Sequence, residues 1–306
     1  MTQEELNPAT HTSRQKNPAI KKLVIFGVGL IGGSVALALK AAGNAPHIVG
    51  IGRNTENLNT ALALGVIDSA TSDIQFALQD TDLVFIATPV AQTPAILKSI
   101  QPYLSTHTII TDAGSTKCDV LAHAEHILGA QSHQFIGGHP IAGAEKSGVT
   151  AAFASLYAQK NIVLTPSANT SDRALQLVTS FWQQCGAIVS QMSATAHDSI
   201  FAAVSHLPHL LAFALVDELA LRDNAKELFN FAASGFRDFT RIAGSHPEMW
   251  RDISLANQSA LLQEILAYEA KLAHIKTLLQ NADSAALEAL FTRASLARNN
   301  WAQAKS

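Results

Sequence analysis

The segment GGHPIAGAEKSG, residues 137–148, contains the side chain whose type and setting most clearly indicate chemistry. His139 follows two glycines at the end of a predicted strand, and imidazole is the side chain best suited to exchanging a proton near neutral pH. A histidine chosen at random is more often a core residue that fills space. The setting of His139 favours a catalytic role instead, and we predict that it accepts a proton.

A second candidate site is the glycine-rich turn GVGLIGGS, which directly follows a predicted strand. Gly27, Gly29 and Gly32 match the G-x-G-x-x-G pattern of dinucleotide sites, although such a turn can also exist without a ligand. The first glycine permits a tight turn, the second lets a pyrophosphate approach the backbone, and the third lets the following helix lie close to the sheet. The residues predicted to bind the cofactor are Gly27, Gly29, Leu30, Ile31, Gly32, Arg53, Asn54, Thr55, Thr88 and Pro89.

The end of the second predicted strand indicates which dinucleotide binds. NAD sites usually carry an acidic residue there, but this chain has Gly52 followed by Arg53. An arginine can bind a 2'-phosphate through two hydrogen bonds, whereas a carboxylate would repel it. We therefore predict NADP in preference to NAD. The alternative is that Arg53 is a solvated loop residue and that both cofactors are accepted.

The composition excludes several classes of protein. With 21 basic and 24 acidic side chains, the chain lacks the excess positive charge that holds nucleic acid. Cys118 and Cys185 form no C-x-x-C pair, which predicts free thiols and neither a zinc site nor a disulfide. The first 20 residues are polar and contain no signal-peptide pattern, and no run of about 18 apolar residues is present. We expect a cytoplasmic protein with a frayed segment over residues 1–20 and no membrane partner.

Two domains are expected from the pattern of apolar residues. Over residues 21–192, short β-branched runs alternate with helical segments, which predicts a Rossmann-like α/β domain with a doubly wound parallel sheet. Over residues 193–306 the strand-like runs cease, which predicts an all-α domain with helices at residues 194–221, 247–279 and 284–303. The predicted strands are KLVIFG, HIVGIG, DLVFIAT, HTIITDAG, HQFIGG, NIVLTP and AIVSQM.

One helical segment is unusually apolar. The sequence SHLPHLLAFALVDELA, residues 205–220, has few polar positions over several turns, which predicts burial against other helices or against a second subunit. We favour the second subunit and predict a homodimer that forms through the helical domain.

Ser115 and His139 both follow predicted strands, and the carboxyl ends of strands line the ligand crevice of open α/β sheets. A serine near an imidazole could indicate a hydrolase, but the chain has no G-x-S-x-G elbow and no assignable third acid. With a hydride acceptor bound nearby, His139 is expected to take a hydroxyl proton while hydride leaves the same carbon.

The motifs together resemble those of prephenate and arogenate dehydrogenases, the cyclohexadienyl dehydrogenases of tyrosine biosynthesis. The resemblance extends over residues 22–303 and rests on GVGLIGGS, ATPV, TDAGSTK, GGHPIAGAEKSG, SHLPH and FRDFTRIAGSHPEMWRDI, in that order. It implies an oxidative decarboxylation, in which the 4-hydroxyl of a cyclohexadiene is oxidised and the ring carboxylate leaves as carbon dioxide. Many relatives carry an acid at the end of the second strand, so this chain departs from the pattern that selects NAD.

The resemblance also implies roles for individual residues. His139 would accept the proton of the substrate hydroxyl, Ser115 would orient that hydroxyl, and Arg241 in FTRIA would receive a substrate carboxylate, which a guanidinium can bind through two hydrogen bonds.

Four further residues match the substrate site of the family. His209 is the stronger histidine candidate and His206, one turn earlier, the weaker one. Glu145 matches an acid and Trp250 an aromatic wall, although a core or interface role for Trp250 is an almost equal alternative. The two histidines could also hold a metal, but no third ligand is apparent, and we predict no metal site.

Two alternatives to this function stay open. Another NADP-linked hydroxyacid dehydrogenase with a Rossmann domain and a helical domain would use a lysine of the helical domain as its proton carrier. A non-catalytic NADP-binding regulator is the second alternative. The choice between prephenate and arogenate is also open, and we expect dual specificity with some preference for arogenate.

Overall fold

A computed structural model of the chain describes residues 20–43, 45–144 and 146–304. It divides into two compact units, Met1–His197 and Asp198–Ser306. The predicted domain boundary after Met192 stays a prediction, and residues 1–19 of the predicted frayed segment lie outside the described residues.

The described part of the first unit forms an eight-stranded sheet in the order β3-β2-β1-β4-β5-β6-β7-β8. The strands are β1 (Lys22–Phe26), β2 (His47–Ile51), β3 (Ser69–Ala70), β4 (Leu83–Ile86), β5 (Ile109–Asp112), β6 (Phe135–Pro140), β7 (Asn161–Thr165) and β8 (Ile188–Gln191). All neighbours from β3 to β6 are parallel, which confirms the predicted Rossmann-like sheet. Chain order reverses between β1 and β4, which is where such sheets bind ligands.

The structure corrects the predicted sheet in two respects. All seven predicted strands are present, but the two-residue strand β3 was missed because it is too short to show a period. The predicted parallel pairing holds from β3 to β6, but β7 pairs antiparallel with β6 and parallel with β8. The described residues of the connection from β6 to β7 include no crossover α-helix, so the two strands can run in opposite directions.

Helices cover both faces of this sheet. They are α1 (Leu30–Ala41), α2 (Thr55–Ala63), α3 (Ile74–Leu78), α4 (Thr93–Ile100), α5 (Cys118–Leu128) and α6 (Asp172–Gln184). Successive side chains of a strand point to opposite faces, so Leu23 packs in a core with residues of α1, α2 and α6, whereas Val24 packs with residues of α3, α4 and α5. Burial on both faces explains the continuous apolar runs of the strands. Ser171 caps α6, because its side chain accepts a hydrogen bond from the backbone N–H of Ala174.

The remaining helices are α7 (Ala194–Phe201), α8 (Leu207–Ala220), α9 (Ala225–Asn230), α10 (Ser234–Thr240), α11 (Pro247–Ala256), α12 (Gln258–Gln280) and α13 (Ser284–Gln303). A π-helical segment, Ala202–His206, separates α7 from α8. It ends two residues before Pro208, which has no N–H to donate to the preceding turn, and this missing hydrogen bond accounts for the irregular turn. The predicted helix over residues 247–279 is divided at Asn257 into α11 and α12.

The apolar helix α8 is poorly covered by its own unit. Only Leu207 and Ala212 of its residues are buried. Large apolar side chains elsewhere in this unit are also exposed, for example Leu221 at 78% and Phe231 at 83% of their surface. By length and composition alone, the continuous helix Ala194–Ala220 is apolar enough to cross a membrane, a property that it shares with core helices of soluble proteins.

Candidate active site

The glycine-rich turn has the geometry that a dinucleotide requires. Gly27 has φ +91° and donates its N–H to the carbonyl of Ile51, and a Cβ there would lie 2.7 Å from the carbonyl oxygen of Ala87. A Cβ on Gly32 would collide with the carbonyl oxygen of Gly27, so the third glycine lets helix and turn approach. A Cβ on Gly29 would meet nothing within 4 Å. The backbone at Gly29 is therefore open to a ligand, as a pyrophosphate-binding turn requires.

The other predicted cofactor residues surround this turn. Leu30 and Ile31 form the first turn of α1, whose N-terminal N–H groups can bind phosphate. Arg53 is exposed between β2 and α2. Asn54 caps α2 by accepting a hydrogen bond from the N–H of Asn57, which gives this side chain a local structural role.

Thr55 begins α2, and Thr88 and Pro89 follow the carboxyl end of β4. The hydroxyl of Thr88 is buried and has no hydrogen-bond partner among the described residues. A buried hydroxyl without a partner is costly, so this atom fits a position that completes its bonding with a ligand. The turn, the helix N-terminus and Thr88 together fit a dinucleotide.

His139 lies near the end of β6 and is only 9% exposed. Its Nδ1 atom is 2.8 Å from Nε2 of His197, which belongs to α7 and is fully buried. The two rings meet edge to face, with centroids 5.0 Å apart. This contact fixes the orientation of the His139 ring. Nε2 of His139 therefore lies on the side of the ring away from His197.

Ser115 lies in the loop between β5 and α5 and is half-buried. Because β5 and β6 are parallel neighbours, Ser115 and His139 lie at the same edge of the sheet, as predicted. Asp112 at the end of β5 connects the two elements, since its Oδ1 accepts from the N–H of Gly138 at 2.9 Å and its Oδ2 from the N–H of Gly114 at 2.8 Å.

A second group of predicted site residues lies in the helical unit. The imidazole of His209 stacks on the indole of Trp250, with ring centroids 3.6 Å apart and an interplanar angle of 20°. Nδ1 of His209 donates to the carbonyl of Ser205 at 2.9 Å, which leaves Nε2 as the acceptor of the neutral ring. Burial lowers the pKa of His209 below its ordinary value of 6.5, the Ser205 bond raises it, and the positive charge of Arg241 lowers it further.

Arg241 is exposed and begins a short 3-10 segment, Arg241–Gly244. Its charge acts on His209, so the structure brings together the predicted carboxylate-binding arginine, the histidine and the stacked Trp250. The indole N–H of Trp250 is buried and has no hydrogen-bond partner among the described residues. This cluster offers a cation, an aromatic face and hydrogen-bonding groups to an anionic ring compound.

His206 is 1% exposed and lies deeper than His209. Its Nδ1 is 3.1 Å from Nδ2 of Asn257, which also donates to the carbonyl of Asp198 at 2.8 Å. These contacts give His206 a structural role beside its predicted role in substrate binding. Glu145 lies outside the described residues. No group of three or more His, Cys, Asp or Glu side chains that could hold a metal occurs within the part of the chain that the structure describes.

Sequence reasoning missed three residues that hold this site. His197 occurs in a helical segment whose sequence carries no motif, so only the fold could reveal its contact with His139. Asp112 and Lys117 lie in the TDAGSTK motif, where an acid and a lysine flank the predicted Ser115. Lys117 is buried and forms an ion pair with Asp112. Because a buried lysine is rare unless it is paired, the acid and the lysine in one motif were the sequence signal for this ion pair.

Two family models match the chain. The model described as "Prephenate dehydrogenase, nucleotide-binding domain" matches residues 35–191, and "Prephenate dehydrogenase, dimerization domain" matches residues 193–293. The chain is 38% identical to the prephenate dehydrogenase of Bacillus subtilis (strain 168), over 86% of this chain and 71% of that protein. It is 34% identical to the cyclohexadienyl dehydrogenase of Zymomonas mobilis, over 86% of this chain and 90% of that protein.

Solved structures give a concordant result. The prephenate dehydrogenase of A. aeolicus in complex with hydroxyphenyl propionate and NAD+ has a TM-score of 0.88 and 38% identity, over 93% of this chain and 99% of that chain. The arogenate dehydrogenase of Synechocystis has a TM-score of 0.78 and 30% identity, over 92% of this chain and 99% of that chain. Both similarities extend over the Rossmann-like unit and the helical unit.

Proposed function

Because the chain belongs to the prephenate dehydrogenase family, we propose that it catalyses the oxidative decarboxylation of arogenate and of prephenate in tyrosine biosynthesis. The chain is a nicotinamide-dependent dehydrogenase. The observation that carries the proposed mechanism is the buried hydrogen bond between His139 and His197 at the carboxyl edge of the sheet.

His139 is proposed to accept the proton of the substrate hydroxyl at Nε2. This atom holds a lone pair only when the ring proton is on Nδ1, and Nδ1 can then donate to Nε2 of His197. The imidazolium that forms keeps the same Nδ1–H bond, so the contact supports both the neutral and the protonated state of His139. Ser115, in the loop after β5, is proposed to orient the hydroxyl.

A bound nicotinamide would supply the acceptor for the hydride of the carbon that bears the hydroxyl. The residues proposed to hold the dinucleotide are those of the glycine turn and its surroundings, Gly27, Gly29, Leu30, Ile31, Gly32, Arg53, Asn54, Thr55, Thr88 and Pro89. Loss of the ring carboxylate as carbon dioxide gives an aromatic product, which makes the reaction effectively irreversible.

Residues of the helical unit are proposed to bind the anionic substrate. Arg241 is assigned to a carboxylate, because a guanidinium can bind that group through two parallel hydrogen bonds. His209, stacked on Trp250, is assigned to the substrate side chain, with His206 as the weaker candidate. Glu145 stays a proposal from sequence alone.

NADP is proposed as the preferred cofactor, with NAD as a possible second one. The support is Arg53, an exposed arginine at the end of β2 where an acidic residue would select NAD. The A. aeolicus relative was solved with NAD+, so the proposed preference of this chain for NADP has to be measured directly.

The test of function compares kcat/KM for arogenate and prephenate, each with NADP and with NAD. The absorbance of the reduced cofactor monitors the reaction. The proposal expects turnover of both substrates, faster with arogenate and with NADP. Arg53→Ala is expected to weaken NADP much more than NAD, and equal losses would contradict the 2'-phosphate contact. Absence of turnover under conditions where NADP binds would favour a non-catalytic regulator.

The role of His139 is tested with His139→Asn. The variant is expected to lower kcat by about 100-fold or more while cofactor affinity stays near that of the unmodified enzyme. Unimpaired turnover would instead favour a hydroxyacid dehydrogenase whose proton carrier lies elsewhere.

We also propose a cytoplasmic homodimer that forms through the helical unit. The poorly covered helix α8, the exposed Leu221 and Phe231, and the match to a dimerisation-domain family support this assembly. Cys118 and Cys185 form no disulfide, which fits a reducing compartment. Light scattering after gel filtration is expected to give twice the chain mass, and a monomer would contradict the proposal.

A further inference from the structure

We propose that Asp112, paired with Lys117, is a positioning residue that holds the His139 strand and the Ser115 loop in their reactive arrangement. The inference rests on the proposed function, because it assigns Asp112 no chemistry of its own. Its basis is a single buried carboxylate that joins the two elements from which the proposed catalytic groups project.

The carboxylate of Asp112 has three donors. Its Oδ1 accepts a hydrogen bond from the N–H of Gly138, the residue directly before His139, at 2.9 Å. Its Oδ2 accepts from the N–H of Gly114, the residue directly before Ser115, at 2.8 Å. The same Oδ2 forms an ion pair with Nζ of Lys117. One side chain is therefore bonded to the backbone immediately before each catalytic candidate.

The two glycines allow this close approach. A Cβ on Gly138 would lie 2.8 Å from the carbonyl oxygen of Asp112 and 3.2 Å from Oγ1 of Thr111. A Cβ on Gly114 would lie 2.8 Å from Oδ2 of Asp112. Neither glycine has a positive φ, so the need for glycine comes from space and not from backbone strain. The glycine before His139 is thus explained by its contact with Asp112.

Lys117 completes the arrangement from the third side. Its side chain is fully buried and that of Asp112 is 1% exposed, so both charges are removed from water. The stem of Lys117 passes Gly137, where a Cβ would lie 3.1 Å from Cδ of the lysine. A buried ion pair is often no better for stability than an apolar pair of similar size, so its presence between two catalytic candidates favours a positional role.

The geometry also argues against Asp112 as a proton acceptor. Both carboxylate oxygens accept hydrogen bonds from the protein, and the side chain has almost no exposed surface. A group in this environment can orient other groups but cannot reach a substrate. Asp112 therefore acts through His139 and Ser115.

The first experiment measures kcat, KM and the melting temperature of Asp112→Asn. An amide has one acceptor oxygen where the carboxylate has two, so one of the two glycine N–H bonds is lost. We expect kcat to fall by about 100-fold, the loss associated with misplacing a catalytic group by about 1 Å, while NADP affinity stays within about 3-fold. Ile110→Ala, a core change in the same strand, is the control that lowers the melting temperature and leaves kcat within about 3-fold.

Asp112→Asn leaves a buried lysine without its anion and could reduce the yield of folded protein. The double variant Asp112→Asn with Lys117→Met removes both charges and avoids an uncompensated one. We expect it to recover the melting temperature while kcat stays about 100-fold low, because the lost backbone contact is not restored. Recovery of kcat together with stability would show that the pair is merely structural and would overturn the inference.

A mutant cycle supplies the second readout. If Asp112 acts by placing His139 and Ser115, then Asp112→Asn introduced into a variant that carries both His139→Asn and Ser115→Ala should lower the residual kcat by less than about 3-fold. A full 100-fold loss in that background would overturn the inference. Wild-type turnover with an unchanged Asp112→Asn variant would overturn this inference alone, whereas absence of wild-type turnover would overturn the proposed function and the inference with it.

Discussion

Nδ1 of His139 lies 2.8 Å from Nε2 of His197, and both imidazoles are buried. A hydrogen bond between two neutral imidazoles needs one N–H and one lone pair, so the contact couples the tautomer of one ring to that of the other. The proposed reaction requires His197 to act as the acceptor.

Paired substitutions test whether His197 acts as the hydrogen-bond acceptor for His139. His197→Gln keeps an acceptor oxygen near the position of Nε2, and we expect kcat within about 10-fold of wild type. His197→Leu removes the acceptor and is expected to lower kcat by about 100-fold, because the His139 tautomer is no longer fixed. Steady-state kinetics at several pH values checks this, and equal losses in both variants would contradict the acceptor role.

The glycine turn allows ligand effects to be separated from folding effects. At Gly29 a Cβ meets nothing, so Gly29→Ala should keep the melting temperature of the free protein but weaken dinucleotide binding by about 10-fold, or about 1.4 kcal/mol. Gly32→Ala should lower both, since its Cβ collides with the turn backbone. Calorimetry with NADP and thermal unfolding without it measure the two effects. Unchanged affinity in Gly29→Ala would place the pyrophosphate elsewhere.

The lowered pKa of His209 predicts its titration. Burial is the largest cause and the charge of Arg241 adds to it, so the NMR titration midpoint of His209 should lie below 6.5. Arg241→Gln should move the midpoint upward but not beyond 6.5, because burial remains. Arg237→Gln, which removes an exposed arginine of α10, is the matched control and should leave the midpoint unchanged.

The same shift has a consequence for stability. The folded state binds this proton less readily than the unfolded state, so stability contributed by His209 is present above 6.5 and falls as pH decreases through the window below it. Arg241→Gln should reduce this loss. A pH dependence that is identical in both proteins would contradict the coupling.

The two cysteines differ in reactivity. Burial raises the pKa of the Cys185 thiol to about 12, whereas Cys118 is exposed. A thiol reagent at about pH 8 should therefore modify one cysteine per native chain and two after denaturation. Rapid modification of both thiols in the native protein would show that the helix α6 end opens readily.

Much of the first unit was predictable because its signals are local. Strands buried on both faces give continuous apolar runs, and a serine followed by an acid, as at Ser171 and Asp172, is a typical helix start. The reversal of β7 was not predictable, since strand direction depends on how the connection crosses the sheet and leaves no mark in the strand's own residues. Asn257, where the long helix divides, contacts Asp198 and His206, which are distant in sequence.

The candidate site shows the same division. Residue type and spacing were enough to predict His139 and the glycine turn. His209 and Arg241 were predicted from motifs. His197, which contacts His139, carries no motif, and Asp112 lies in a motif that does not show its contact with Gly138. Their importance follows from a hydrogen bond formed only after folding.

The π-helical segment Ala202–His206 carries one more residue per turn than the helices on either side of it. We expect deletion of a single alanine from this segment to restore a regular α-helix. The deletion would also rotate every later side chain of α8 about the helix axis relative to the residues before the segment. His209 would then leave the indole of Trp250. The extra residue of the π-helical segment therefore sets the direction in which His209 projects from α8.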